Sequence, residues 1–209
     1  MTDNKTLESI KEYFDDKLKT FGATPRGADW NSSEAQNVRF DQLLKVINQK
    51  TDFSLIDYGS GYGALADYML SIGFDFSHYF GYDILEDMVS KGQELHPDKS
   101  KFTFSTKFHG LPTADFAVAS GVFNIKLKVE QQDWTAYVIK SLEEINEKVT
   151  KGFSVNFLTK YSDADRMLSH LYYADPGYLF DYAKKNFSKN VAVLHDYNLY
   201  DFTLIVRKY

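Results

Sequence analysis

Apolar side chains recur at helical spacing up to residue 50; from residue 53 they gather into short runs separated by turn residues. Residues 6–20 and 33–50 read as amphipathic helices. In the second, Val38, Leu43, Leu44, Val46 and Ile47 fall near one face, and Ser32 or Ser33 offers an N-cap ahead of Glu34 and Gln36. The intervening "GATPRGADWN" is rich in turn residues and predicts a loop. Beyond it strand and helix alternate. "FSLIDYG", "HYFGYDI", "KFTFSTKF", "ADFAVASGVF" and "GFSVNFL" predict strands, and "YGALADYMLSIG", "LEDMVSKGQELH" and "QQDWTAYVIKSLEEINEKVT" predict helices among them. "DPGYLFDYAKKNF" then predicts a helix with proline in its first turn, and "VAVLHDY" and "DFTLIVRKY" predict two closing strands.

Alternation of this kind implies an α/β fold, doubly wound, with a mostly parallel seven-stranded sheet covered on both faces. The last two strands are joined by "NLY", too short for a crossover helix, so they predict a C-terminal antiparallel hairpin. No repeat, low-complexity stretch or linker interrupts the chain. The expected organisation is one domain over residues 1–209, with an N-terminal helical extension at 1–50 and a Rossmann-like core at 51–209.

The most informative stretch is "LIDYGSGYG", residues 55–63, where a strand runs into Gly59, Gly61 and Gly63 two residues after Asp57. Glycine lets the chain leave the strand at positive φ and lets a ligand approach the backbone, at the strand end where such sheets bind ligands. Two ligand classes compete. Gly59, Gly61 and Ala64 approximate a dinucleotide fingerprint. Read with Asp57 and all three glycines, the loop suits a ligand carrying a positive ammonium or sulfonium, since that carboxylate would repel pyrophosphate. Both readings place an acid at the end of the next strand, on ribose hydroxyls; that acid is Asp83 in "FGYDI".

Composition narrows the partners. The chain has no cysteine, which excludes disulfides, thiolate metal sites and a cysteine nucleophile, and no metal site is expected. Net charge is −5 and the only compact basic cluster, Lys184, Lys185 and Lys189, reads as a solvated helix face, so nucleic acid is not an expected partner. No apolar stretch approaches the length of a membrane span, and the charged N-terminus lacks the apolar region of a signal peptide, which together fit a cytoplasmic protein without a membrane partner.

Over residues 53–209 the motifs and element order resemble those of the class I S-adenosylmethionine-dependent methyltransferases, in the small bacterial small-molecule type. "DYGSGYG" matches the first motif, placing Asp57, Gly59, Ser60 and Gly61 on the cofactor. "YFGYDI" matches the second, with Asp83 on the ribose and Ile84 on the adenine. "ADFAVASGVFNIKL" matches the fourth, with Ser120 at the methionine end. The resemblance implies S-adenosylmethionine as cofactor and in-line methyl transfer to an oxygen or nitrogen of a small molecule. Two departures stand out. The acid often found after the third strand is absent from "STKFHGLP", and the Asn/Asp-Pro-Pro-aromatic motif of base amino-methylation is replaced by "SGVF". His195, beside Asp196, and His170, in the loop after the fifth strand, are candidate bases. Asn124, Tyr172 and Tyr173 are candidate substrate contacts. Trp30 and Arg26, in the loop before the core, are candidates for covering the cofactor and binding substrate. The competing reading is a protein that binds S-adenosylmethionine or S-adenosylhomocysteine for regulation or as a scaffold, without methyl transfer. A nicotinamide oxidoreductase fits Asp57 and the hairpin poorly.

Overall fold

Each apolar run beyond residue 53 forms a strand. In the computed structural model, which describes residues 4–22, 24 and 33–208, the strands are β1 (Ser54–Tyr58), β2 (His78–Tyr82), β3 (Phe102–Ser105), β4 (Ala114–Ala119), β5 (Val149–Thr159), β6 (Tyr173–Ala174), β7 (Asn190–Leu194) and β8 (Asp201–Arg207). The helices are α1 (Asn4–Phe21), α2 (Ser33–Leu44), α3 (Ala64–Ser71), α4 (Glu86–Leu95), α5 (Gln131–Glu147) and α6 (Pro176–Asn186). Arg26 and Trp30 lie outside the described residues.

The sheet runs β3-β2-β1-β4-β5-β8-β7, with the two-residue β6 paired to β5 off this path. All pairings are parallel except β5 with β8 and β8 with β7. This is the doubly wound sheet with a closing antiparallel hairpin that the alternation predicts. β1 and β4, at its centre, are apolar on both faces because both are covered. One core layer holds Leu43, Phe53, Leu65, Met69 and Phe116; the other holds Tyr58, Phe123, Trp134, Leu142 and Phe153.

Two boundaries differ from the sequence expectation for reasons the contacts show. α2 stops at Leu44, where the Leu43 carbonyl accepts from Ser154 Oγ (2.7 Å) and the chain tightens into short-range turns that bury Val46 and Ile47. α2 thereby covers the sheet, packing against β4, β5 and β8. β5 extends past "GFSVNFL" at both ends, because β4 pairs with it at Val149 and β6 pairs with it at Thr159. The crossover from β3 to β4 carries only a three-residue 3₁₀ turn, Phe108–Gly110. It is held by Lys148 Nζ on the carbonyls of His109 and Leu111, at 2.9 and 2.5 Å. Ile10 and Phe14 of α1 join the core layer on that same face. Among the described residues no helix is long and apolar enough to cross a membrane.

Candidate active site

The end of β1 sets the site. Gly59 and Gly61 adopt φ of 80° and 54°, conformations that cost a side-chain-bearing residue strain. A Cβ on Gly59 would lie 2.3 Å from Val122 Cγ2, so the loop after β4 also requires glycine there. The N–H groups of Gly59 and Ser60 donate to the Tyr82 carbonyl at 2.7 and 2.9 Å, tying the loop to the end of β2. From that same end, Asp83 accepts from Gly61 N–H (2.9 Å) and Leu85 N–H (3.0 Å). It therefore braces the glycine loop and the start of α4 at once. Burial raises the Asp83 carboxyl above its ordinary range, and the N–H donors of Leu85, Gly61 and Ile84 oppose that rise.

Asp57 lies on the neighbouring strand, buried, with Oδ2 accepting from the Tyr79 hydroxyl. Its pKa is raised from 3.8 to about 7, chiefly by burial; the Tyr79 hydrogen bond opposes the rise and the Asp83 charge adds to it.

These groups converge on one cavity of about 440 Å³. Asp57, Gly59, Ser60, Gly61, Asp83 and Ile84 all line it, and so does Ser120 beyond β4. Ser120 Oγ is buried with no hydrogen-bond partner among the described residues. Asn124 and His170 line it as well. None of residues 105–109, after β3, does so. Among the described residues no group of three or more His, Asp or Glu side chains could hold a metal ion.

Three expected contacts sit elsewhere. His195 is exposed beyond the end of β7, its ring against Tyr161 and Phe202, and it does not line the cavity. The order β5-β8-β7 places its strand at the sheet edge, outside β8. Tyr172 is buried behind the wall with its hydroxyl 3.0 Å from Thr135 Oγ1, and the Tyr173 hydroxyl accepts from Leu168 N–H at 2.9 Å. Both tyrosines support the wall rather than face the cavity. Asp175 caps α6, accepting from the N–H groups of Gly177 and Tyr178.

Periodicity gave no sign of the contribution from α2. Gln36 and Arg39 line the cavity, and Arg39 Nη2 lies 2.6 Å from Asp201 Oδ2, at the start of β8. Asn156 Nδ2 reaches Asp201 Oδ1 at 3.4 Å while its Oδ1 accepts from Gly121 N–H at 2.7 Å. A polar chain thus runs from α2 through β8 and β5 to the loop after β4. An acid opening the otherwise apolar run "DFTLIV" was the one available signal, because a buried carboxylate requires a partner.

No family profile matches the chain. A curated protein of Mycobacterium tuberculosis, "Putative methyltransferase Rv1506c", is 42% identical over 165 residues, spanning 79% of this chain and 99% of that protein. Among solved structures, magnesium protoporphyrin IX methyltransferase (ChlM) from Synechocystis PCC 6803, with bound SAH, superposes with a TM-score of 0.65 at 15% identity. That match covers 97% of this chain and 100% of the other. A DhpI-SAM-HEP complex superposes with a TM-score of 0.66 at 14% identity over 100% of both chains.

Proposed function

The chain belongs to the class I S-adenosylmethionine-dependent methyltransferases, and from that membership we propose that it transfers a methyl group from S-adenosylmethionine to an oxygen or nitrogen of a small molecule. One observation carries the reading: the glycine loop, the carboxylates of two adjacent strands and Ser120 meet at a single cavity.

The residues present fit that cofactor. Space beside Gly61 is open, since a Cβ there would meet only Met88 Sδ, at 3.9 Å. Ser120 Oγ is a buried hydroxyl that a polar ligand group would satisfy, relieving a desolvation cost of about 1–3 kcal/mol. In this reading Asp83 receives the ribose hydroxyls on lone pairs not used by Gly61 and Leu85, and Ile84 packs on the base. Asp57 offers negative charge to the ammonium, and the Gly59–Gly61 backbone lies along the ligand. Bound S-adenosylmethionine supplies a methyl group on a positively charged sulfur that leaves as a neutral thioether. The chain itself contributes orientation and exclusion of water, which together account for much of the acceleration in such transfers. A hydroxyl acceptor also loses a proton, and His170 is the base proposed to take it. Arg26 and Trp30 carry no part of this reading.

Calorimetry with S-adenosylmethionine, S-adenosylhomocysteine and NAD tests it. The first two are expected to bind and NAD is not; binding of NAD alone would overturn the assignment. In Asp83→Ala, affinity for S-adenosylhomocysteine should fall by about 1.5–3 kcal/mol, through lost charge-assisted hydrogen bonds and a loosened glycine loop.

A further inference from the structure

Resting on the reading above, we propose that the part of the cavity bounded by Asn124 and His170 is the acceptor subsite, and that it takes an uncharged molecule with an apolar, ring-sized body and one hydroxyl. Two chain segments build it. Tyr172 N–H donates to the Asn124 carbonyl at 2.8 Å, and the N–H groups of Lys126 and Leu127 both donate to the His170 carbonyl at 3.0 Å. Ile125 and Leu171 pair as an antiparallel bridge. The loop after β4 and the segment after β5 are therefore stitched together, and the wall they form is held by backbone hydrogen bonds.

Asn124 is fixed more closely still. Its Oδ1 accepts from Leu158 N–H at 3.1 Å, at the end of β5. With the oxygen engaged by the fold, the amide presents its NH₂ as the remaining group, and that NH₂ has no hydrogen-bond partner among the described residues. A ligand atom beside it must be a hydrogen-bond acceptor. Ile125, Leu168 and Leu171, from the same segments as the pair, and Leu158, at the end of β5, line the same cavity and are all aliphatic.

Charge disfavours anionic and ammonium acceptors. Among the described lining residues the only arginine is Arg39, which is paired with Asp201, and no lysine takes part. A phosphate or carboxylate held against the aliphatic walls would be desolvated without a counter-charge, which is costly. An ammonium would face the Asn124 NH₂, a donor like itself. A neutral hydroxyl meets both polar groups: its oxygen accepts from Asn124 Nδ2 and its proton passes to a His170 ring nitrogen. The O–C bond forms from an oxygen lone pair as the S–C pair stays on sulfur.

The probes are 2-naphthol and 2-naphthyl phosphate, which share one ring system and differ in charge, titrated into protein saturated with S-adenosylhomocysteine. Saturable binding of 2-naphthol, about tenfold or more tighter than the phosphate, is expected. Asn124→Asp keeps an oxygen for Leu158 N–H but loses the NH₂, and should weaken 2-naphthol by about tenfold. Leu168 is 52% exposed at the mouth of the cavity, so Leu168→Arg should fold and should raise affinity for the phosphate by about tenfold. Equal or tighter binding of the phosphate by the native protein overturns the proposal, as does absence of 2-naphthol binding while S-adenosylhomocysteine binds. Failure to bind S-adenosylhomocysteine overturns the methyltransferase reading and this proposal with it.

Discussion

Tyr79 and Asp57 show how a residue that does not line the cavity can govern one that does. The tyrosine hydroxyl donates to the buried carboxylate, favouring its charged form against the burial that raises its pKa to about 7. Because the folded value lies above the ordinary 3.8, this group stabilises the empty protein most in acid, and that contribution is lost as pH rises from about 4 to about 7. Ligand binding should run the other way, since the ammonium of S-adenosylhomocysteine prefers the ionised acid. Its affinity is expected to rise with pH up to about 7 and then level off. Tyr79→Phe removes the bond to the charged form, so the midpoint of that profile should move to higher pH. Dissociation constants measured from pH 5.5 to about 8.5 check this; an unmoved midpoint would reduce Tyr79 to a packing role.

At the scale of elements, the alternation of apolar runs was enough to place the helices and every parallel strand but the two-residue β6, because each run must bury one face or both. Residues whose role depends on a partner far along the chain were not legible. Val46 and Ile47 continue a helical pattern yet lie past the end of α2, where the backbone tightens to i→i+3 bonds and the Leu43 carbonyl also accepts from Ser154, on a strand more than a hundred residues later. His195 next to Asp196 resembled a base oriented by an acid, and the position of its strand at the sheet edge came only with the pairing order. That the glycine loop, Asp57 and Asp83 meet at one cavity was legible because positive-φ glycines and acids at the ends of adjacent strands are set over short sequence distances. Arg39 was not, since nothing near it in sequence announces Asp201. The Ser154 anchor gives an element-scale expectation. Ser154→Ala removes the hydroxyl donor to the Leu43 carbonyl, which keeps Val46 N–H at 3.2 Å, and should destabilise the protein by about 0.5–1.5 kcal/mol in urea unfolding.

For the molecule as a whole, the cavity is shared between a well-packed sheet and a lightly attached N-terminal helix. Ile10, Tyr13 and Phe14 of α1 line the cavity, but Ile10 is the only buried side chain among those described on that helix. Few buried apolar contacts place an element at the low end of local stability. Native-state hydrogen exchange should therefore find α1 amides exchanging well before those of β1, β4 and β5, with bound S-adenosylhomocysteine narrowing the gap. Equal protection in the empty protein would contradict that reading. The attachment of α1 through Ile10 also has a consequence in time. Synthesis delivers this helix before the core layer it joins, which includes Tyr58, Phe108 and Phe123. The helix must wait, undocked, for partners distant in sequence, and such long-range closures come late in folding. A nascent chain would thus acquire its sheet before it acquires a finished reaction chamber.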